Sequence, residues 1–292
     1  LHKMVKNSAR GIEMSYKIVV DSCCELPAEL RKNIEFESVP LTLIVGDVYE
    51  KEDDETFDQK EFLEIVAKSQ VCAKSACPSP ERYMQAYQTD AENVYVITLS
   101  SHLSGSYNSA MLGKNLYHET YGEKNIYVID SESASCGEAQ IALKIMDLEA
   151  EGLSFEEIIE KIEVFVKEMN TYFVLDNLDT LRKNGRMSGV KALVASTLSI
   201  KPVMGAEGGV IVQRGQSVGI KKALAKMVEF VVKEAVEPEK KRLLITHCNA
   251  PERAQSVKEQ LETKLSVKEI YIIDMAGLSS LYANDGGIIV TL

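Results

Sequence analysis

The chain has 292 residues, of which 45% are hydrophobic and 26% charged, enough apolar material for one large domain or two of ordinary size. A formal net charge of -11 argues against a general nucleic-acid binder, because the phosphate backbone would be repelled over most of the surface. No apolar run approaches the roughly 18 uncharged residues that a membrane-spanning helix needs, so we expect no integral membrane segment.

The cysteines and histidines indicate neither a disulfide framework nor a metal site. The six cysteines contain no CxxC pair, and no export signal precedes the first predicted strand, so we expect reduced thiols in a cytoplasmic protein. The four histidines form no metal-type cluster, and we expect no metal or other cofactor. Residues 1–13 precede a more natural start at Met14 and are predicted to be a tail outside the fold.

Strands and helices alternate over the first half of the chain. The predicted strands and helices are "YKIVVD" (16–21), a helix at 27–33, an extended run at 36–46, a helix ending near 69, a helix capped by Ser79, strands at 93–100 and 124–130, and helices at 105–122, 134–152 and 154–170. Ser154 and Glu157 have the spacing of a capping box. Apolar strands that alternate with helices favour a parallel sheet covered on both faces.

The second half has a different pattern. We predict an apolar helix at 190–199, a hairpin around Gly208-Gly209, a helix at 221–236 and a closing strand–helix–strand unit at 243–276. The predicted fold class is therefore α/β with two domains. The first, 14–168, is a parallel-sheet three-layer domain, and the second, 169–292, is an α+β domain.

Three predicted strands end in polar pairs made of aspartate and serine residues. They end at Asp21-Ser22, at Ser100-Ser101 and at Asp130-Ser131. Because the carboxyl ends of parallel strands lie along one edge of a sheet, we expect these groups to converge. Each is followed by a predicted helix, whose N-terminus offers free N–H groups and a partial positive charge that favour an anion. The alternative is ordinary capping, since a single Ser or Asp at such a turn is more often a cap than a ligand contact.

The motifs give little support for a serine-dependent hydrolase or for nucleotide binding. His102 stands among serines, but sequence neighbours rarely form a nucleophile–base pair, and there is no G-x-S-x-G elbow. A serine-dependent hydrolase therefore remains only an alternative. The chain lacks a P-loop and lacks G-x-G-x-x-G after the first strand, which argues against nucleotide binding.

Six motifs in order resemble the DegV family, which includes the fatty-acid-binding subunits of bacterial fatty acid kinase. The motifs are "DSCCELP" (21–27), "SACPSP" (75–80), "SSHLSGSYNSA" (100–110), "VIDSESAS" (128–135), "NGRMSG" (184–189) and "IKPVMGAEGGVI" (200–211). They correspond to the family patterns D-S-x-x-[DE]-L-P, T-S-Q-P-S-P, S-S-x-L-S-G-T-Y-x-S-A, V-I-D-S-x-x-x-S, G-R-[IM]-S and I-K-P-[IV].

The resemblance implies a lipid tunnel between two domains. A long-chain fatty acid would lie in it and present its carboxylate to a separate kinase subunit, which would form the acyl phosphate. By the same resemblance, the carboxylate would be held by Ser75, Ser100, Ser101, Ser104 and Arg186. Four further residues are candidates for supporting these ligand contacts from behind, without touching the ligand themselves: Asp21, Ser22, Ser131 and Asn284. The binding protein itself would not be an enzyme and would need no cofactor.

The chain departs from the family patterns in three places. Ser75-Ala76-Cys77 replaces T-S-Q, and Gln216 and Val218 stand where basic residues are common. The family also has a histidine in an H-x-G-P-G turn near its C-terminal end, where this chain has Ala283 or Asn284 nearby and no histidine. A stand-alone lipid carrier or sensor without a kinase partner is therefore an alternative function.

Overall fold

The structure is a computed structural model that describes residues 16–32, 34–187, 190 and 199–292. The strands in these ranges are β1 (Tyr16–Asp21), β2 (Glu35–Val39), β3 (Thr42–Val45), β4 (Tyr49–Glu52), β5 (Lys74–Ala76), β6 (Asn93–Thr98), β7 (Asn125–Asp130), β8 (Thr171–Val174), β9 (Ile200–Glu207), β10 (Val210–Val218), β11 (Arg242–His247), β12 (Glu269–Asp274) and β13 (Ile288–Thr291). The helices are α1 (Gln59–Lys68), α2 (Pro80–Ala86), α3 (Ser106–Tyr121), α4 (Cys136–Ala150), α5 (Phe155–Glu168), α6 (Asp179–Lys183), α7 (Ile220–Glu234), α8 (Pro251–Glu262) and α9 (Gly277–Ala283), with a 3-10 turn at Pro238–Lys240.

The N-terminal sheet has four parallel strands in the order β2-β1-β6-β7. All six residues of β1 are buried, as expected for a strand that is covered on both faces. Val19 and Val96 face a core shared with α2 and α3, whereas Ile18 and Ile97 face a core shared with α4 and α5. Three layers result, with helices on both sides of the sheet.

The C-terminal sheet has six strands in the order β10-β9-β8-β13-β11-β12. Only β11 and β12 pair in parallel, and the other neighbours are antiparallel. Helices α7 and α8 cover one face through Met227, Val228 and Val257, which are buried against Leu243 and Ile245. The predicted α/β fold class is thus confirmed, while the proposed boundary between residues 168 and 169 stays a prediction.

Helix α4 lies between the two sheets and is buried on nearly all sides. Its apolar residues pack with Ile18 and Ile97 of the N-terminal sheet and with Leu244 of the C-terminal sheet in one core. Gln140 donates from Nε2 to the carbonyl of Arg242 at 2.8 Å, and the Arg242 guanidinium binds both carboxylate oxygens of Asp147 at 2.5 and 2.9 Å. A helix buried on nearly all sides is expected only where protein surrounds it, and here both sheets supply the contacts.

The segment after β1 differs from the sequence prediction. The expected helix at 27–33 is not formed over residues 27–32, the part that the structure describes, and residues 28–30 form a turn in which Leu30 N–H donates to the carbonyl of Pro27. Too few residues separate Pro27 from Glu35 for a helix of several turns. The run at 36–46 is not one strand, because it breaks at Pro40 into β2, in the N-terminal sheet, and β3, in a small antiparallel sheet of order β4-β3-β5.

Three local predictions are confirmed by the geometry. Ser79 Oγ accepts from the N–H of Arg82 at the start of α2, and Ser154 with Glu157 forms a complete capping box at the start of α5. Gly208 and Gly209 both have positive φ, 55° and 79°, in the two-residue turn between β9 and β10. Such a turn matches the twist of a hairpin, and glycine adopts it without steric cost.

Some predictions fall outside the described residues. The tail at 1–13 and most of the apolar helix at 190–199 are among them. The sequence prediction also stopped at residue 276, whereas α9 and β13 follow, and β13 occupies a central place in the C-terminal sheet. Among the described helices, none has the length and apolarity required to cross a bilayer.

A test of the packing between α2 and α3 is available at Gly113. A Cβ at this position would lie 2.6 Å from the carbonyl oxygen of Pro80 and 2.8 Å from the Cβ of Tyr83. We expect Gly113→Ala to lower the free energy of unfolding by about 1–3 kcal/mol, because one helix must shift. Chemical denaturation would measure this, with the exposed Asn115→Ala on the same helix as control. Equal stability of the two variants would contradict the close approach.

Candidate functional site

The carboxyl ends of β1, β6 and β7 meet at one edge of the N-terminal sheet, as the sequence indicated. Asp21 Oδ2 accepts from the N–H of Leu99 at 2.9 Å, and Asp130 Oδ1 accepts from the N–H of Ser101 at 3.1 Å. The N–H of Ser131 donates to the carbonyl of Thr98. The acidic groups therefore bind backbone donors of the neighbouring strand end, which holds the three turns in a fixed arrangement.

An apolar cavity opens beside this edge, between the two sheets, with about 770 Å³ of empty space. Residues from both sheets and from α9 line it, mainly with carbon atoms: Cys23, Leu99, Leu103, Ala134, Phe173, Leu175, Leu181, Ala206, Ile211, Leu278, Ala283 and Ile289. Part of this space is open to solvent. The arrangement can hold an elongated apolar ligand out of water.

Arg186 and Tyr282, both half-buried, are among the polar residues at the cavity, and the others are Glu132, Ser133, Thr171 and Ser279. The Arg186 guanidinium lies 5.6 Å from the centroid of the Tyr282 ring and donates from Nε to the carbonyl of Leu103 at 3.1 Å. The Tyr282 hydroxyl and the Ser75 hydroxyl are 3.1 Å apart. A guanidinium, a phenol and a serine hydroxyl are thus grouped at one part of a mainly apolar wall, which is the chemistry that a carboxylate requires.

The serines that follow β6 are less uniform than the sequence suggested. Ser100 is fully buried, and its Oγ donates to the carbonyl of Gly209 at 2.7 Å, so it holds the β9–β10 hairpin against the N-terminal sheet. Ser101 contributes its backbone N–H to Asp130, and Ser104 Oγ lies 3.2 Å from Ser106 Oγ at the start of α3. Arg186 lines the cavity, and Ser75 reaches it through Tyr282. Ligand contacts by Ser75, Ser100, Ser101, Ser104 and Arg186 stay a prediction.

The four supporting candidates each have an internal partner. Ser22 Oγ accepts from the N–H of Leu41 at 3.1 Å, and Ser131 Oγ makes a local turn with the backbone of Ser133. Asn284, with φ at 58°, exchanges hydrogen bonds with Thr180 and so joins α9 to α6. Asp21 Oδ2 accepts from the N–H of Leu99. A role of these four side chains in supporting a ligand site stays a prediction.

Tyr282 is a cavity residue that the sequence reasoning missed. The comparison with H-x-G-P-G looked at Ala283 and Asn284, of which Ala283 also lines the cavity. The search for a histidine gave no reason to single out a tyrosine, so the place of Tyr282 at the cavity is visible only in the structure.

A buried acidic cluster lies behind the cavity wall. The ligand atoms of Asp21, Cys23 and Glu138 lie within 4.8 Å of one another, and all three residues are buried. Burial and the Asp21 carboxylate raise the pKa of Glu138 well above its usual range, and burial raises the pKa of Asp21 to about 6. Neither carboxylate oxygen of Glu138 has a hydrogen-bond partner among the described residues. Three such groups could hold a metal ion, but a proton retained on Glu138 removes the repulsion between the two carboxylates without one.

Comparison with known proteins gives one consistent family. The family model described as "Uncharacterised protein, DegV family" matches residues 15–291. A DegV domain-containing protein of Streptococcus pneumoniae is 35% identical over 281 residues, which cover 94% of this chain and 98% of that protein.

Two solved structures are similar over nearly their whole length. A DegV family protein of Ruminococcus gnavus, described with vaccenic acid, is 51% identical with a TM-score of 0.93, covering 96% of this chain and 100% of that one. The Streptococcus pneumoniae Fatty Acid Kinase (Fak) B3 protein, loaded with linoleic acid, is 33% identical with a TM-score of 0.84, covering 94% and 98%.

The buried acids predict a pH-dependent stability. Burial also raises the pKa of Glu25, to about 8 from an ordinary 4.5. Because the folded values are raised, the stabilisation is complete below the unfolded-state pKa values and is lost as pH rises through the folded ones. We expect the free energy of unfolding to fall between about pH 4.5 and pH 8, by up to about 1.4 kcal/mol per pH unit for each proton involved.

Glu138→Gln should reduce this pH slope, since a neutral amide cannot ionise in the core. Urea denaturation at several pH values would measure the slope, with the exposed Glu160→Gln as control. A Glu138→Gln slope equal to that of wild type would contradict the buried-acid account.

Proposed function

Because the chain belongs to the DegV family, we propose that it binds one long-chain fatty acid, with the acyl chain in the cavity between the sheets and the carboxylate at Arg186. The apolar cavity with a single guanidinium in its wall is the observation that carries the proposal. Each buried CH₂ group contributes roughly 0.8 kcal/mol. A sixteen-carbon chain would supply on the order of 10 kcal/mol before the cost of ordering the ligand.

The polar group at the cavity supports recognition of a carboxylate. A guanidinium has five N–H donors, and the donors that Arg186 gives to Leu103 and Asn184 fix its position without using them all. The Tyr282 and Ser75 hydroxyls add neutral donors close to it. We propose that these three side chains bind the carboxylate, and that Ser100, Ser101 and Ser104 shape the turn beside it.

We further propose that a separate kinase subunit phosphorylates the bound fatty acid. In that reaction a carboxylate oxygen of the fatty acid bonds to the γ-phosphorus of ATP, and the bond from that phosphorus to ADP breaks. The chain itself would hold and orient the carboxylate without supplying a nucleophile. The resemblance to the Fak B3 protein supports this role. No metal or cofactor on this chain is required for it.

The alternative of a stand-alone carrier or sensor rests on one observation. The sequence has no histidine after His247, whereas the family pattern has one in a turn near its C-terminal end. The ligand would then be held without that group. A hydrolase receives less support, because the Ser100 hydroxyl is buried and donates to a backbone carbonyl.

Native mass spectrometry of the freshly purified protein, followed by organic extraction, tests fatty-acid binding. We expect one long-chain fatty acid per chain. An empty protein that takes up neither added oleate nor palmitate would overturn the proposal. Incubation of the loaded protein with ATP and the catalytic subunit of a fatty acid kinase then distinguishes a kinase partner from a stand-alone carrier or sensor. Acyl phosphate supports the kinase partnership, and its absence from a loaded protein supports the carrier.

Arg186→Ala should weaken fatty-acid binding at least about tenfold while leaving the fold intact, because a charge-assisted hydrogen bond contributes about 1.5–3 kcal/mol. Arg182→Ala is the matched control, since Arg182 lies nearby on α6, is exposed and pairs with Asp179. Tyr282→Phe should weaken binding by a few-fold through loss of one hydroxyl. Radiolabelled fatty acid retained equally by Arg186→Ala and Arg182→Ala would contradict the assignment.

A further inference from the structure

The direction of β8 distinguishes two ends of the apolar cavity. Thr171 and Phe173 of β8 line the cavity, and so does Leu175, which directly follows the strand. Alternate residues of an extended chain point to the same side, and four residue steps along such a chain cover about 13 Å. The cavity is therefore elongated, with one end at Leu175 and the other at Thr171.

The guanidinium of Arg186 lies at the Leu175 end. Leu175 and Leu181 belong to one apolar cluster, and Tyr282 packs against the same cluster. The N–H of Arg186 donates to the carbonyl of Leu181 at 2.9 Å, which places Arg186 beside these residues. In the proposed function the carboxylate of the fatty acid is bound at this end, so the acyl chain has to extend towards Thr171.

A pair of hydroxyl groups closes the Thr171 end. Ser133 Oγ and Thr171 Oγ1 are 2.7 Å apart, and both residues are buried. Their hydrogen bond joins the turn after β7 to the start of β8, so it connects the two sheets across the end of the cavity. Gly137 of α4 lies directly behind Ser133, because a Cβ on Gly137 would be 2.6 Å from the Cβ of Ser133. Ser133 therefore has no room to move away from the cavity.

Cys23 and Ala134 complete the closed end, and both line the cavity. Cys23 Sγ accepts from the N–H of Ser135 at 3.2 Å, which fixes the turn after β1 against the residues that precede α4. Behind them, the first turn of α4 is buried. We call the wall formed by Cys23, Ser133, Ala134 and Thr171 the cavity floor. Helix α4 supports it from behind, so a ligand cannot extend past it without displacing packed protein.

We propose that the cavity floor limits the length of the acyl chain that the protein accepts, and that Thr171 and Ala134 determine this limit. The inference rests on the proposed function, because it concerns the ligand of the same cavity. The methyl end of the chain contacts the floor when the carboxylate is at Arg186. A longer chain has to bend or to leave its carboxylate short of Arg186, since close-packed protein interiors yield little to added atoms.

Three substitutions change the floor in different ways. Thr171→Ala removes a methyl and a hydroxyl group, which leaves room for about two CH₂ groups of the ligand. Ala134→Leu adds three carbon atoms at the floor and displaces about as many from the ligand. Thr171→Val is the matched control, because it keeps the branched shape of the side chain and loses only the hydrogen bond to Ser133.

The test measures which chain lengths the protein binds in competition. Wild type and each variant are incubated with an excess of an equimolar mixture of laurate, myristate, palmitate, stearate, arachidate and behenate. Native mass spectrometry then gives the fraction of the protein that carries each fatty acid. Neighbouring members of this series differ by two CH₂ groups. The ratio of two neighbours therefore reports the length limit, whereas a general loss of affinity or stability lowers both members alike and leaves the ratio unchanged.

We expect Thr171→Ala to raise the ratio of the next longer fatty acid to the one that wild type prefers by about tenfold, the effect of burying two more CH₂ groups. Ala134→Leu should lower the ratio of the preferred fatty acid to the next shorter one by about tenfold. Thr171→Val should stay within about twofold of wild type.

Wild-type ratios in both Thr171→Ala and Ala134→Leu would overturn the length limit at the floor while leaving the proposed function intact. A shift in Thr171→Val as large as that in Thr171→Ala would overturn it too, because the lost hydrogen bond and not the added space would then be the cause. A wild-type protein that takes up no member of the series would instead overturn the proposed function itself.

Discussion

The burial of α4 between two sheets is the constraint on which the rest of the structure depends. Ten of its 15 residues are buried, among them Ile141, Leu143 and Ile145, and the two sheets cover the helix from opposite directions. The hydrogen bonds from Gln140 and the paired Arg242 and Asp147 fix its orientation against the C-terminal sheet. The two halves of the chain are therefore held by one shared core.

The position of the cavity follows from where this helix begins. Ser133 and Ala134, immediately before α4, line the cavity, so the space lies off the helix N-terminal end, where the helix no longer fills the gap between the sheets. Short polar contacts close the gap around it. Ser133 meets Thr171 at 2.7 Å, and Ser135 meets Thr246 at 2.8 Å between side-chain oxygens. The cavity is what remains after these contacts are made.

Most of the fold and part of the site could be predicted from the sequence. The periodic apolar strands, the Ser79 cap, the Ser154–Glu157 capping box and the Gly-Gly hairpin depend on local chemistry, and they were identified. The break at Pro40 and the central place of β13 depend on contacts distant in sequence, and local patterns cannot supply them. The convergence of the strand ends followed from parallel topology alone. Which hydroxyls meet the cavity and which bind the backbone, as Ser100 does, depends on the hairpin that approaches from the other sheet.

Tyr282 shows the same limit from another direction. A search for one residue type, histidine, missed a residue that α9 places at the cavity. The contacts of Tyr282 with Arg186 and Ser75 join positions distant in sequence, and they are not visible in a pattern of residue names.

The place of β13 has a consequence for synthesis of the protein. All four strands of the N-terminal sheet have been translated once residue 130 has left the ribosome, and their pairings can form early. Strands β8 and β11, by contrast, are joined through β13, the final strand of the described chain, which inserts between them. Until β13 emerges, β8 and β11 each have an unpaired edge. Unpaired strand edges can pair with other chains and so favour aggregation. During translation, the early-formed half and α4 then offer the template on which the late half assembles.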